Sequence, residues 1–132
     1  MSEQDNVGVA RRAYEDFKSG NVAGVLGALA EDVDWRTPRM SGVGFSGPRR
    51  GRDSVAGFFS NLAEEQEPLS FEPREFVAQD DKVVALGTYR WRVKRTGREY
   101  GGDWVHVFTV RDGKITGFQE YMDSAAAVAA YA

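Results

Sequence analysis

The sequence predicts an α+β fold: a strongly curved antiparallel or mixed sheet, covered on one face by three helices, with a cone-shaped space between the layers. Three observations predict it. Apolar residues in the first half recur at three- and four-residue steps, the spacing of helices, whereas those in the second half alternate, the spacing of strands. The alternating stretches follow one another through tight turns, so neighbours in sequence pair antiparallel. The stretch YGGDWVHVFTVRDGKITGFQEYMD, residues 100–123, reads as a hairpin around Asp112-Gly113, the strongest short-range turn signal between two apolar runs.

Taken in order, residues 1–4 are expected as a frayed tail. Residues 5–19 place Val9, Ala10, Ala13, Tyr14 and Phe17 on one helical stripe, with Asp5 or Asn6 as the cap and Gly20 as the stop. Asn21 caps a second helix whose stripe is Val22, Val25, Leu26, Leu29 and Ala30. Residues 32–37, DVDWRT, read as a short strand ended by Pro38. Residues 39–51 are rich in Gly, Pro and Ser and read as a loop with room for one short edge strand. Asp53 or Ser54 caps a third helix, with Val55, Phe58, Phe59 and Leu62 as its buried stripe and Pro68 as its far limit. Residues 69–79 read as a strand in which Pro73 suits an edge or a bulge. After a turn at Asp80-Asp81, residues 82–94 form a long strand. Its odd positions, Val83 to Val93, are apolar, while its even positions pass from Val84 and Leu86 to Arg90 and Arg92. Thr96-Gly97 turns the chain into the hairpin. The Ala-rich stretch 124–131 starts a helix too short to stand undocked.

At 132 residues the chain reads as one domain, 1–132, long enough to bury a core. Seventeen basic residues against twenty acidic give a net charge of −3, which argues against nucleic acid as a partner. With no cysteine, disulfide and thiolate chemistry are excluded. No charged-then-apolar leader and no apolar run of ~18 residues is found, so neither export nor a membrane span is expected, and a cytoplasmic location is. One histidine and no cysteine leave no metal-ligating constellation. No phosphate-cradling glycine motif or nucleophile elbow is present, so no metal and no cofactor are expected. Arg49, Arg50 and Arg52 cluster beside glycines, and read as a solvated loop entering a helix.

The candidate site lies on the hairpin. Trp104, His106, Phe108 and Val110 share one face of its first arm, and Phe118 and Glu120 share one face of its second. If these faces coincide, the only histidine and a carboxyl sit in one apolar cavity at the splayed end of the cone. An imidazole donates or accepts, and a carboxyl placed there suits acid/base work. Trp35, Tyr89, Trp91, Trp104 and Phe118 offer an aromatic wall. Tyr14 and Phe59, on the stripes of the first and third helices, belong to the same expected pocket. Each of these residues also has a plain structural reading: core aromatics, a histidine bonded to backbone, or a glutamate paired with an arginine.

YEDFKSGNVAGVLGALAEDVDW, GRDSVAGFF and WVHVFTVRDGKITGFQEYMD resemble the SnoaL-like branch of the ketosteroid isomerase and nuclear-transport-factor-two-like superfamily. The resemblance covers nearly the whole chain and implies the cone fold, commonly as a homodimer packed through the outer sheet face. It implies no single chemistry, since the superfamily holds isomerases, epoxide hydrolases, polyketide cyclases, dehydratases and binders. Where the isomerases carry their Asp base this chain has Thr37, and where they carry a protonated Asp it has His106. Their oxyanion Tyr falls near Ala13, one residue from Tyr14. Glu120 matches an acidic catalytic position of limonene-epoxide hydrolases, whose Arg and second Asp fall on Gly87 and Tyr89. Their water-holding Tyr and Asn fall on Trp35 and Thr37. The resemblance thus sends Trp35, Thr37, Gly87, Tyr89, His106, Phe118 and Glu120 to one pocket. The expected function is cofactor-independent acid/base chemistry (isomerase, cyclase or hydrolase) by Glu120 and His106 on a small hydrophobic, oxygenated molecule. The alternative is a non-catalytic ligand-binding or accessory protein using the same pocket.

Overall fold

The computed structural model describes residues 2–132 and contains six strands and four helices. They run α1 (Glu3–Lys18), α2 (Val22–Gly27), β1 (Leu29–Arg36), β2 (Pro48–Arg50), α3 (Arg52–Glu65), β3 (Gln66–Gln79), β4 (Lys82–Val93), β5 (Glu99–Arg111), β6 (Lys114–Tyr121) and α4 (Ser124–Tyr131). One sheet holds every strand in the order β2-β1-β6-β5-β4-β3. The β3–β6 meander is antiparallel, whereas β1 lies parallel to β6 and carries the short edge strand β2 antiparallel on its other side. The sheet is therefore mixed.

Local chemistry explains most of the boundaries. The first helix starts earlier than expected, because Ser2 and not Asp5 is its cap. Ser2 Oγ accepts from the Asp5 backbone N–H at 3.1 Å and the Asp5 carboxylate accepts from the Ser2 N–H at 3.0 Å, a capping box that orders residues 2–4 of the expected tail, Met1 lying outside the described residues. Asn21 caps α2 through the Gly24 N–H at 3.0 Å. That helix is only six residues long, and Leu29 and Ala30 leave it for β1. Leu29 pairs with Ile115 of β6, so a strand partner displaced a helical stripe. No side chain caps α3: its N-cap is Gly51, whose N–H reaches Val33 O at 2.8 Å, and Asp53 sits inside the first turn. Arg52 Nε donates to Leu29 O and Arg49 Nη1 to Ser54 O, both at 2.9 Å, so two of the three clustered arginines tie α3 to its surroundings.

The prolines of β3 fall as a strand pattern requires. β3 is an edge strand, and its register slips between Pro68 and Ser70 and again between Pro73 and Glu75. Asp112 and Gly113 both have positive φ, 50° and 76°, the pair a tight hairpin turn demands. Inside the sheet, Gly87 is needed for space. A Cβ there would come within 2.4 Å of both Glu72 O and the Trp104 ring.

Helices cover one face only. Val83, Ala85, Tyr89, Trp91 and Val93 of β4 and Trp104, His106, Phe108 and Val110 of β5 point inward and are buried. The loop between β1 and β2 also sends Met40, Val43 and Phe45 inward. The opposite face is left half open in this chain: Val84, Leu86, Val105 and Val107 are half-buried and Val77 and Tyr121 exposed. The short α4 does dock, burying Ala127, Ala130 and Tyr131.

Candidate functional site

β5 and β6 bring the two central residues together. In their antiparallel register His106 stands directly opposite Glu120, on the face under the helices. His106 Nε2 lies 2.8 Å from Glu120 Oε2. Tyr89, from the same face of β4, donates its hydroxyl to Glu120 Oε2 at 3.3 Å. From α1, Tyr14 brings its hydroxyl within 2.7 Å of His106 Nδ1. All four side chains are buried.

The proton positions follow from the atom that each ring nitrogen faces. Burial, and then the charge of Glu120, push the Tyr14 hydroxyl far above the usual tyrosine range. Burial and Glu120 do the same to Tyr89, with Tyr100 adding to the effect. Glu120 Oε2 accepts from the ring, so the Nε2 beside it carries the imidazole proton, which leaves Nδ1 as the acceptor of the Tyr14 O–H. Nε2–H then donates to the carboxylate. Glu120 Oε2 thus receives two hydrogen bonds, while its Oε1 receives none from the described residues.

This chain of groups opens on a cavity of about 80 Å³. Tyr14, Trp35, Phe59, Tyr89, His106, Phe118 and Glu120 line it, together with residues that sequence patterns did not single out, among them Phe45, Gln66, Phe71 and Tyr100. Trp35 and Phe118 stack at 3.9 Å, because β1 and β6 set them side by side.

Three expected pocket residues, Thr37, Trp104 and Gly87, fall elsewhere. Thr37 does not line the cavity. It is buried at the end of β1, where its Oγ1 accepts from the Gly47 N–H at 3.0 Å and pins the neck of the 38–47 loop. Trp104 stands behind the site: its indole stacks on His106 at 4.1 Å and fills the space over Gly87. Neither Trp104 nor Gly87 borders the cavity. The alternation that put Trp104 beside His106 was right about the face. It could not show that the missing side chain at position 87 lets the indole sink into the sheet.

The link from Tyr14 to His106 was not legible either, since it depends on where α1 crosses the sheet. Gln66, Tyr100 and Tyr131 form a second buried polar group, with Gln66 Oε1 accepting both hydroxyls at 2.8 and 2.7 Å. Tyr100 comes from β5 and Tyr131 from α4, so no spacing in the sequence marks the group. Among the described residues no cluster of three or more His, Cys, Asp or Glu is arranged to hold a metal ion, and no helix is long and apolar enough to cross a membrane.

Known proteins share this architecture. An NTF2-like protein from Burkholderia xenovorans LB400 is 35% identical, with a TM-score of 0.89, over 100% of this chain and 99% of that one. TerC, co-crystallised with polyporic acid, is 29% identical, with a TM-score of 0.87, over 96% of this chain and 98% of its own. A candidate polyketide cyclase from Xanthomonas campestris pv. campestris, 22% identical with a TM-score of 0.80 over 98% of each chain, shares the fold. No curated protein matches the chain significantly. The SnoaL-like domain matches residues 10–118, across the helical layer, the cavity and most of the final hairpin, and the chain belongs to the SnoaL-like family.

Proposed function

We propose that this protein is a cofactor-independent acid/base enzyme acting on a small hydrophobic, oxygenated molecule held in the cone cavity. The observation that carries the reading is the asymmetry of Glu120. One carboxylate oxygen is held by His106 and Tyr89, and the other is left free within an apolar, aromatic-lined space. Fixed donors on the far oxygen orient the carboxylate, and the free oxygen is the atom that can take a proton from a bound substrate and return it. In this scheme Glu120 is the catalytic residue. Both ring nitrogens of His106 are engaged, so the imidazole acts through Glu120 as a positioning residue that follows the carboxyl's change of charge. Proton abstraction next to a carbonyl, the step common to isomerisation and aldol-type cyclisation, fits a lone oriented carboxylate best. The polyporic acid complex of the similar protein TerC supports a small organic molecule as the kind of occupant.

The test is exchange of the α-protons of aryl ketones and β-diketones into deuterium oxide, read by mass spectrometry. Wild-type protein is expected to catalyse exchange. Glu120→Gln is expected to slow it by ~10²-fold or more, the usual worth of a positioned acid/base group, and His106→Ala, which frees the carboxylate to turn, is expected to slow it by less. Undiminished exchange in both variants would remove the catalytic reading. Saturable ligand binding without any exchange in the wild type would favour the binding-protein alternative.

A further inference from the structure

Two spaces meet beneath α3. The inner one is the cavity at Glu120. The outer one is a cleft of about 340 Å³ bordered by the end of α1, the start of α2, α3 and β3. Phe17, Phe59, Leu62, Gln66, Phe71 and Trp91 line both, so the cleft is the mouth of the cavity. Phe17 forms the partition, its ring centroid 5.9 Å from Phe59 and 5.1 Å from Phe71. Beyond it the cleft is largely apolar, with Val22, Pro68 and the 41% exposed Leu69, and Lys18 and Glu72 stand 4.0 Å apart at its rim.

Gln66 is the buried polar side chain at this junction. It is only 2% exposed. Its Oε1 is fully used by the hydroxyls of Tyr100 and Tyr131. Those two donors fix the amide's orientation and turn Nε2, with its two N–H groups, the other way. Nε2 makes no hydrogen bond to any described residue, yet it is not among the sealed, partnerless donors, which are Trp35 Nε1, Arg49 Nε and Trp104 Nε1. A buried amide with unspent N–H groups facing open space is a site waiting for an acceptor.

We propose that Gln66 is a ligand-binding residue. Its Nε2 donates to a carbonyl or ether oxygen of a molecule whose other polar end lies at Glu120 Oε1 and whose body passes Phe17 into the cleft. The proposal rests on the small-molecule reading above and adds the ligand class: an elongated aromatic or alicyclic compound with oxygens at two separated positions, longer than the inner cavity alone admits.

Calorimetric titration with two probes tests it: para-phenylphenol, with one oxygen, and the same biphenyl carrying an acetyl group on its far ring. Wild-type protein is expected to prefer the acetyl compound by about tenfold, the worth of one well-made hydrogen bond. Gln66→Glu keeps an acceptor for both tyrosines but lacks the donor. It is expected to lose that preference, the affinity ratio of the two probes falling from about ten to about one. Tyr131→Phe is expected to retain the preference. No preference in the wild type, or a preference that survives in Gln66→Glu, overturns the role of Gln66 alone. Failure of both probes to bind the wild type overturns the small-molecule reading and this proposal with it.

Discussion

Replacing Tyr14 by Phe separates hydrogen bonding from packing in the candidate site. The ring sits among Phe71, Trp104, His106 and Phe108 at centroid distances of 5.9, 5.7, 5.9 and 5.6 Å, and Phe keeps all of these contacts. Only the 2.7 Å bond to His106 Nδ1 is lost. Because the imidazole is buried, Nδ1 is left without a partner, and the cost is the desolvation of an unsatisfied acceptor, about 1–3 kcal/mol. That corresponds to roughly 2–8 °C of melting temperature per kcal/mol for domains of this general size. Chemical denaturation with an unchanged slope measures the loss. His106 is the only histidine, so a sample labelled with nitrogen-15 at histidine reports one imidazole. The wild type is expected to show the proton on Nε2 and a hydrogen-bonded Nδ1, and the variant is expected to lose the Nδ1 signature. A wild-type spectrum with the proton on Nδ1 would refute the donor order derived above. So would a stability change below about 0.5 kcal/mol, the range typical of surface substitutions.

Two further outcomes follow from the same structure. Burial is the leading cause that holds the hydroxyls of Tyr14, Tyr89, Tyr100 and Tyr131 above their ordinary value of 10.0. An acid whose folded-state pKa is raised adds stability that is complete below the unfolded pKa and is lost as pH climbs past it. Tyrosinate absorbance from these four is therefore expected to rise together with loss of the circular dichroism signal above about pH 10, and ionisation of all of them in a folded protein would contradict the assignment. The second outcome concerns the open sheet face. Leu86 pairs with Val105 and Val105 with Tyr121, while Val84 joins Val77 to Val107, making one apolar patch. The protein is expected to sediment as a homodimer and Leu86→Glu as a monomer. A monomeric wild type would dispose of that interface.

Strand faces were legible because alternation is local. Alternation put His106 on one face of the first arm and Glu120 on one face of the second, but not the coincidence of those faces: the Asp-Gly turn pairs Val110 with Ile115, and a register shift between Thr109 and Val110 then sets His106 opposite Glu120 rather than Gln119. Features decided by contact between distant segments were not legible. Leu29 continues a helical stripe in sequence but is drawn into β1 by Ile115. Thr37 aligned with pocket residues of relatives but was claimed by the Gly47 backbone. The loop residue Phe45 reaches the cavity from an aperiodic, glycine-rich stretch in which no spacing marks an inward position. Gln66 looks like an ordinary polar residue between a helix and a strand until two tyrosines from β5 and α4 are seen to converge on it.

The parallel pairing of β1 with β6 has a consequence for how the protein is made. The stacked pair at the base of the chamber, Trp35 and Phe118, joins the first strand to the last. Contacts this remote in sequence form late, after a long loop has closed. During synthesis the helical layer and the first strand emerge well before the segment that supplies Phe118 and Glu120. A nascent chain halted before Lys114 holds Trp35 but lacks Phe118 and the Glu120 carboxylate, so the chamber is not closed until the final strand is inserted.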